Sequence, residues 1–202
     1  MARYLISSDA ALVEFVQRHI PHNCTVRLPV EGEDPTVNPK DGDIGIYTIL
    51  FEQAGLSLPL DHLLCEVLRR CSMALCQLSP NEVRLVLRCS ALNKLLGVNL
   101  TYREIFWCYP LCHCPQDRSR YYFRVRIGAS DLVKCLTKSE KGYHEGIAIV
   151  GGAWDDGDIR KIKRRMYDNV GRDINLSVLR DFFLLLCSCL TPCFLCRLHQ
   201  AT

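Results

Sequence analysis

The sequence predicts a mainly α protein with a small β element, an α+β fold in which a compact helical bundle is followed by a short antiparallel hairpin or sheet. Three observations carry that prediction. From Ser79 to Gly97 the chain has helix start and stop signals at both ends: Ser79 as N-cap, Pro80 at the first helical position, Glu82 where a capping box places its carboxylate, and Gly97 to end the helix. Leu60, Leu63, Leu64, Val67, Leu68 and Cys71 recur at the spacing of one buried helical face. From Tyr121 to Ile127, aromatic and β-branched residues are interleaved with arginines at the period of a strand.

Taken in order, Ser8 or Asp9 opens a short helix through His19, with Ala11, Leu12, Phe15 and Val16 on one face and Pro21 ending it. Thr25 to Leu28 reads as a short extended segment. Residues Val30 to Asp43, dense in Pro, Gly, Asp and Glu, predict a loop whose carboxylates lack calcium-loop spacing. Ile44 to Gln53 is apolar enough for a strand, but Gly55 resembles a helix stop, so a helix is predicted. The helix from Leu60 to Cys71 comes next.

The Ser79–Gly97 helix is apolar on most of its circumference (Val83, Leu85, Val86, Leu87, Cys89, Ala91, Leu92, Leu95, Leu96), which predicts a hub surrounded by other elements. Thr101 and Glu104 form a second capping box that opens a short aromatic helix through Tyr109, closed by Pro110. A strand over Arg120–Ile127 would place Tyr122, Arg124 and Arg126 on one face and Tyr121, Phe123, Val125 and Ile127 on the other. A second strand is predicted at Gly146–Val150, with Gly151-Gly152 as a turn. The segments are then 1–43 (N-terminal helix and acidic loop), 44–127 (helical core), 128–158 (β and loop completion) and 159–202 (a basic, Cys-rich apolar tail).

Composition bounds the reading further. A hydrophobic fraction of 49% with 23% charged residues is globular and excludes disorder along the whole length. The net charge of +3 is unevenly spread: residues 58–142 carry 13 basic and 7 acidic groups, a middle that permits nucleic-acid contact without demanding it. The start, MARYLISSDAALVEF, has no basic n-region followed by a clean apolar core, so no secretory signal is expected and a nuclear or cytoplasmic location is. With 13 cysteines, an odd count, reduced thiols are the expectation over a disulfide framework.

Several short signatures occur in a fixed order. Arg27-Leu28-Pro29 precedes the acidic loop; Tyr47, Phe51, Ala54-Gly55-Leu56 and Leu58-Pro59-Leu60 follow; then come Gln77-Leu78-Ser79-Pro80-Asn81 and the run Tyr121-Tyr122-Phe123 with Arg124 and Arg126. In this order they resemble the gypsy-type transposon domain of plant genomes, over roughly Ala11 to Trp154, with GLxLPL and QLSPN the most specific words. The resemblance implies a Gag-side product of long-terminal-repeat elements, or a copy retained in a host genome. It brings no catalytic residues with it. The chain departs from the family pattern after about Asp158.

Four groups of residues are candidate sites. Arg120, Tyr122, Arg124 and Arg126 combine cations with an aromatic face, the chemistry of phosphate contact and base stacking, though a half-buried strand with a basic outer face has the same composition. Arg160, Lys161, Lys163, Arg164 and Arg165 form a basic run suited to phosphates or nuclear import, or simply to a solvated helix face. Cys108, Cys112 and Cys114, with His113, are weighed as zinc ligands. Their CxxxC-H-C spacing comes from one segment, where tetrahedral zinc usually draws close pairs from two turns, so ordinary thiols are the competing reading. Cys187, Cys189, Cys193 and Cys196 lie in an apolar stretch of 15 residues from Phe182 to Cys196, shorter than the roughly 20 needed to span a bilayer.

These readings converge on a noncatalytic Gag-like domain that associates with protein, or with itself, and makes weak RNA or DNA contacts. No cofactor is expected beyond the zinc weighed above, and stable membrane insertion is not expected. A transposase or nuclease fragment is the alternative; it would need carboxylates gathered around divalent metal, which spacing alone does not identify. A nonfunctional transposon remnant is the third.

Overall fold

In the computed structural model of the chain, the residues described are 9–31, 33, 35, 42–115, 120–127, 133 and 146–155, all within the unit Met1–Val170. The fold is mixed α+β. Five helices run α1 (Asp9–His19), α2 (Ile49–Gln53), α3 (His62–Cys71), α4 (Pro80–Leu96) and α5 (Tyr102–Cys108). Five strands run β1 (Cys24–Arg27), β2 (Ile44–Tyr47), β3 (Leu111–His113), β4 (Tyr121–Phe123) and β5 (Ile147–Gly152).

The strands form two antiparallel sheets. In the first, of order β1-β5-β2, Val150 of the central strand stands opposite Val26 on one side and Ile44 on the other. The second is the ribbon β3-β4. The strands therefore do not simply follow the helices: β1 and β2 precede the helical core in sequence, and the sheet closes only when β5 arrives about a hundred residues later.

That long-range pairing corrects the helix predicted over Ile44–Gln53. Residues Ile44–Tyr47 are a fully buried strand, and only Ile49–Gln53 is helical. Two of the four strand residues are isoleucines, which suit the pleat, and Gly45 carries no side chain where the backbone of Pro35 passes. Thr48, at φ −60° and ψ −32°, starts the helix. Gly55, at φ 73°, supplies the stop that the sequence signalled.

The predicted turn at Gly151-Gly152 is instead the end of β5. A side chain on Gly151 would reach Asp43 Oδ1 at 2.5 Å and Thr25 Oγ1 at 2.8 Å, and Gly152, at φ 86°, sits against Asn23 and Cys24. The two glycines allow neighbouring segments to close on the strand. In the acidic loop, Glu33 holds Arg27 through two hydrogen bonds of 2.6 and 2.7 Å. Its carboxylate thus ties the loop to β1.

The helices pack by the faces their sequences dictate. Asp61 caps α3 by accepting from the Leu63 amide at 3.0 Å, and its second oxygen accepts from Ser90 Oγ of α4 at 2.7 Å. Leu63, Leu64, Val67, Leu68 and Cys71 are buried beneath that cap. The core continues through Met73, Leu75, Leu78, Val83, Leu85, Val86, Cys89 and Ile105. Trp154, 1% exposed, is pinned by its indole N–H to the Gly42 carbonyl at 2.8 Å.

Helix α4 is a hub over its first three turns only. Leu95 and Leu96, expected to be enclosed, are 79% and 46% exposed, because the helix extends past the elements packed on its N-terminal half. The capping box expected at its start is half formed. The Glu82 carboxylate takes a backbone hydrogen bond from Ser79, but the Ser79 hydroxyl donates to Glu82 and does not cap the helix amides. The box at Thr101 and Glu104 is complete, and α5 ends at Cys108, one residue short of the Tyr109 expected.

Among the described residues no helix is long and apolar enough to cross a membrane. The run Arg160–Arg165 and the cysteines of the tail, Cys187 to Cys196, lie outside the described residues.

Candidate nucleic-acid interface

The candidate site is built on the β3–β4 ribbon. Cys112 stands opposite Tyr122, and the pairing continues past both strands: the Cys114 amide donates to the Arg120 carbonyl at 2.9 Å, Arg124 to Pro110 at 3.1 Å and Arg126 to Cys108 at 2.8 Å. Arg120, Tyr122, Arg124 and Arg126 thus occupy alternate positions of one antiparallel ladder, which puts them on a common face. The other face meets the core. Tyr121 is 3% exposed and bridges to Leu78, and Phe123 lies 6.0 Å from Phe106 of α5.

The strand was expected to reach Ile127, but its regular part ends at Phe123. Val125 and Ile127, predicted to share the buried face, are 43% and 92% exposed. The ribbon runs beyond the core at this end, so alternation no longer decides burial there.

The four predicted residues differ in setting. Arg124 is exposed, while Arg120 and Tyr122 are half-buried. Arg126 is tied down: its Nε donates to the Trp107 carbonyl at 2.6 Å and its guanidinium lies 4.4 Å from the Trp107 ring centre. It fastens the ribbon to the end of α5, a role that composition alone does not signal.

Residues 105–115 and 120–127 contain no Asp or Glu. Next to it, α5 presents Tyr102, whose ring lies 4.7 Å from the guanidinium carbon of Arg70 at the end of α3 and 5.8 Å from that of Arg103. Arg103 and Trp107, four apart on α5, share a helical stripe. Arg70, Tyr102, Arg103 and Trp107 were not singled out together from the sequence. The i, i+4 spacing of Arg103 and Trp107 was readable, but the arrival of Arg70 from α3 depends on tertiary packing.

The same ladder places the thiols. Cys114 pairs with Arg120, Cys112 with Tyr122, and the Cys108 carbonyl with the Arg126 amide. The Cys112 thiol contacts the Pro110 carbonyl at 3.7 Å, and His113 packs on Tyr121 with ring centres 4.8 Å apart. Among the described residues, no three His, Cys, Asp or Glu side chains gather to hold a metal ion. None of the eight described cysteines is in a disulfide, and burial pushes the Cys71 and Cys89 thiols up to about 12.

Comparison with protein-family models, with curated proteins and with solved structures finds no match, so no relative identifies a transposon domain or any other family here.

Proposed function

We propose that this chain is a noncatalytic, retroelement-derived Gag-like association domain that contacts nucleic acid through the β3–β4 ribbon. The observation that carries the reading is the common face of Arg120, Tyr122, Arg124 and Arg126 on a ladder without carboxylates. Guanidinium groups at alternate strand positions meet phosphates spaced along a backbone, and counterion release makes such binding salt-sensitive. The ordered sequence words from Arg27-Leu28-Pro29 to Arg126 support the retroelement origin, and a nuclear or cytoplasmic setting belongs to the same proposal.

The chemistry required is binding chemistry. Arg124 offers an exposed cation, Tyr122 a half-buried aromatic face, and Arg126 fixes the ribbon against α5 so that the face is ordered before a ligand arrives. Preorganisation of this kind lowers the entropy cost of association. The test is fluorescence anisotropy of a labelled RNA oligonucleotide titrated with the full chain at low and moderate salt. Saturable binding that weakens with salt and is abolished by Arg120→Glu/Arg124→Glu supports the reading; no binding at either salt removes it.

A further inference from the structure

We infer that the Trp107–Arg126 pair is a base-stacking position, which makes the ligand of this face a single-stranded nucleic acid and not a duplex. The inference rests on the ribbon reading above and adds a second kind of contact to it.

The two side chains already form a cation–π pair within the protein. The Arg126 guanidinium lies 4.4 Å from the centre of the Trp107 ring, and its Nε is committed to the Trp107 carbonyl at 2.6 Å. That hydrogen bond fixes the guanidinium at the ring, and a planar guanidinium is itself a surface on which an unpaired base can stack. Arg126 and Trp107 are both half-buried, so the pair is partly open to solvent. Arg124, two positions earlier on the ladder and exposed, is placed to take the phosphate beside a base stacked at Arg126.

Charge separates the two kinds of contact. Arg103, one helical turn before Trp107, donates to the Tyr102 hydroxyl at 3.2 Å and has the carboxylates of Glu104 and Glu66 nearby, so the charge along α5 is mixed. The ribbon has no carboxylate of its own from 120 to 127, and the Glu82 carboxyl that meets the Phe123 amide is one that burial pushes up to about 7. The exposed Arg124 of β4 is thus the group placed for a phosphate, and α5 contributes the Trp107 ring. A base inside a duplex has both faces covered by its neighbours and cannot extend the Trp107–Arg126 stack, whereas a single strand can.

Tryptophan emission tests this directly, because the chain has two tryptophans and the second, Trp154, is 1% exposed. The full chain is titrated with an unlabelled single-stranded RNA and with a duplex of the same sequence, following tryptophan fluorescence, with anisotropy of labelled versions in parallel. The expected result is quenching by the single strand only, with affinity roughly tenfold or more above the duplex. Trp107→Leu should weaken single-strand binding by about 5- to 150-fold, the range for loss of one stacked base. Trp107→Phe, which keeps a ring under Arg126, should retain most of the affinity while losing the quench.

If single strand and duplex bind equally and without quenching, the stacking inference fails while the phosphate reading stands. If neither binds, both fail. If Trp107→Leu and Trp107→Phe both bind as the parent does, the stacking position is refuted even where single strands are preferred.

Discussion

The carboxylate of Glu82, in the first turn of α4, takes a backbone hydrogen bond from Phe123 in β4. Phe123 stands opposite Leu111, between pairs that exchange their hydrogen bonds within the ladder, so its own amide points to the outer edge of β4. A helix residue thus satisfies a strand edge and docks the ribbon on the helical core. Tyr121, bridged to Leu78, secures the same edge two residues earlier.

Burial raises the Glu82 carboxyl from 4.5 to about 7, with the backbone hydrogen bonds from Phe123 and Ser79 among the influences opposing the rise. Between those two values the folded protein holds a proton that the unfolded chain has released. Stability at this site therefore falls as pH rises through the window, and the full penalty is present above about 7. Glu82→Gln keeps an oxygen to accept from Phe123 but cannot ionise. Relative to the parent, the variant should gain stability on going from pH 5 to pH 8, on the order of 3 kcal/mol at most. Thermal melts across that range check it; parallel curves for the two proteins would contradict it.

Two arginines of the ribbon should separate in their effect on folding. Arg126→Ala loses the bond to the Trp107 carbonyl and the contact with its ring, and should cost about 1–3 kcal/mol. Arg124 is exposed, and Arg124→Ala should stay within about 0.5 kcal/mol of the parent. Urea denaturation of the two variants measures the difference.

The two ends of α4 should also differ. Leu85, 2% exposed, should cost about 2–5 kcal/mol when cut to alanine, through lost burial and the cavity left behind. Leu95, 79% exposed, should cost about 0.5 kcal/mol or less. Equal costs, read by the same denaturation, would mean that the far end of the helix is covered.

Local signals carried much of this fold. Pro80 and Gly97 bracket α4, Thr101 and Glu104 open α5, and the spacing from Leu63 to Cys71 marks the buried face of α3. What misled was non-local. Ile44–Tyr47 has no preference that separates a buried strand from a buried helix over so few residues, and β5, which decides it, lies about a hundred positions away. Gly151-Gly152 has the composition of a turn, and only the approach of Asn23, Thr25 and Asp43 explains why a strand needs glycine there. Leu95 and Leu96 continue the apolar pattern but stay exposed, beyond the described elements packed on the first turns of α4.

The candidate site was legible to a similar degree. The common face of Tyr122, Arg124 and Arg126 follows from period two, and the ladder carries that period through to Arg126. The attachment of Arg126 to Trp107, and the arrival of Arg70 beside Tyr102, depend on how α3, α5 and the ribbon pack. No spacing in one segment encodes that. The pairing of Arg120 with Cys114 and of Tyr122 with Cys112 likewise comes from the ladder and not from spacing within one segment.

The most direct test of the ribbon as a phosphate-binding face is the salt dependence of single-stranded RNA affinity, measured for the full chain and for Arg124→Ala. The plot of log affinity against log salt should be linear and negative for the parent, and Arg124→Ala should make its slope shallower by about 0.7, the value for one phosphate contact on a single strand. Identical slopes, or an affinity indifferent to salt, would contradict it.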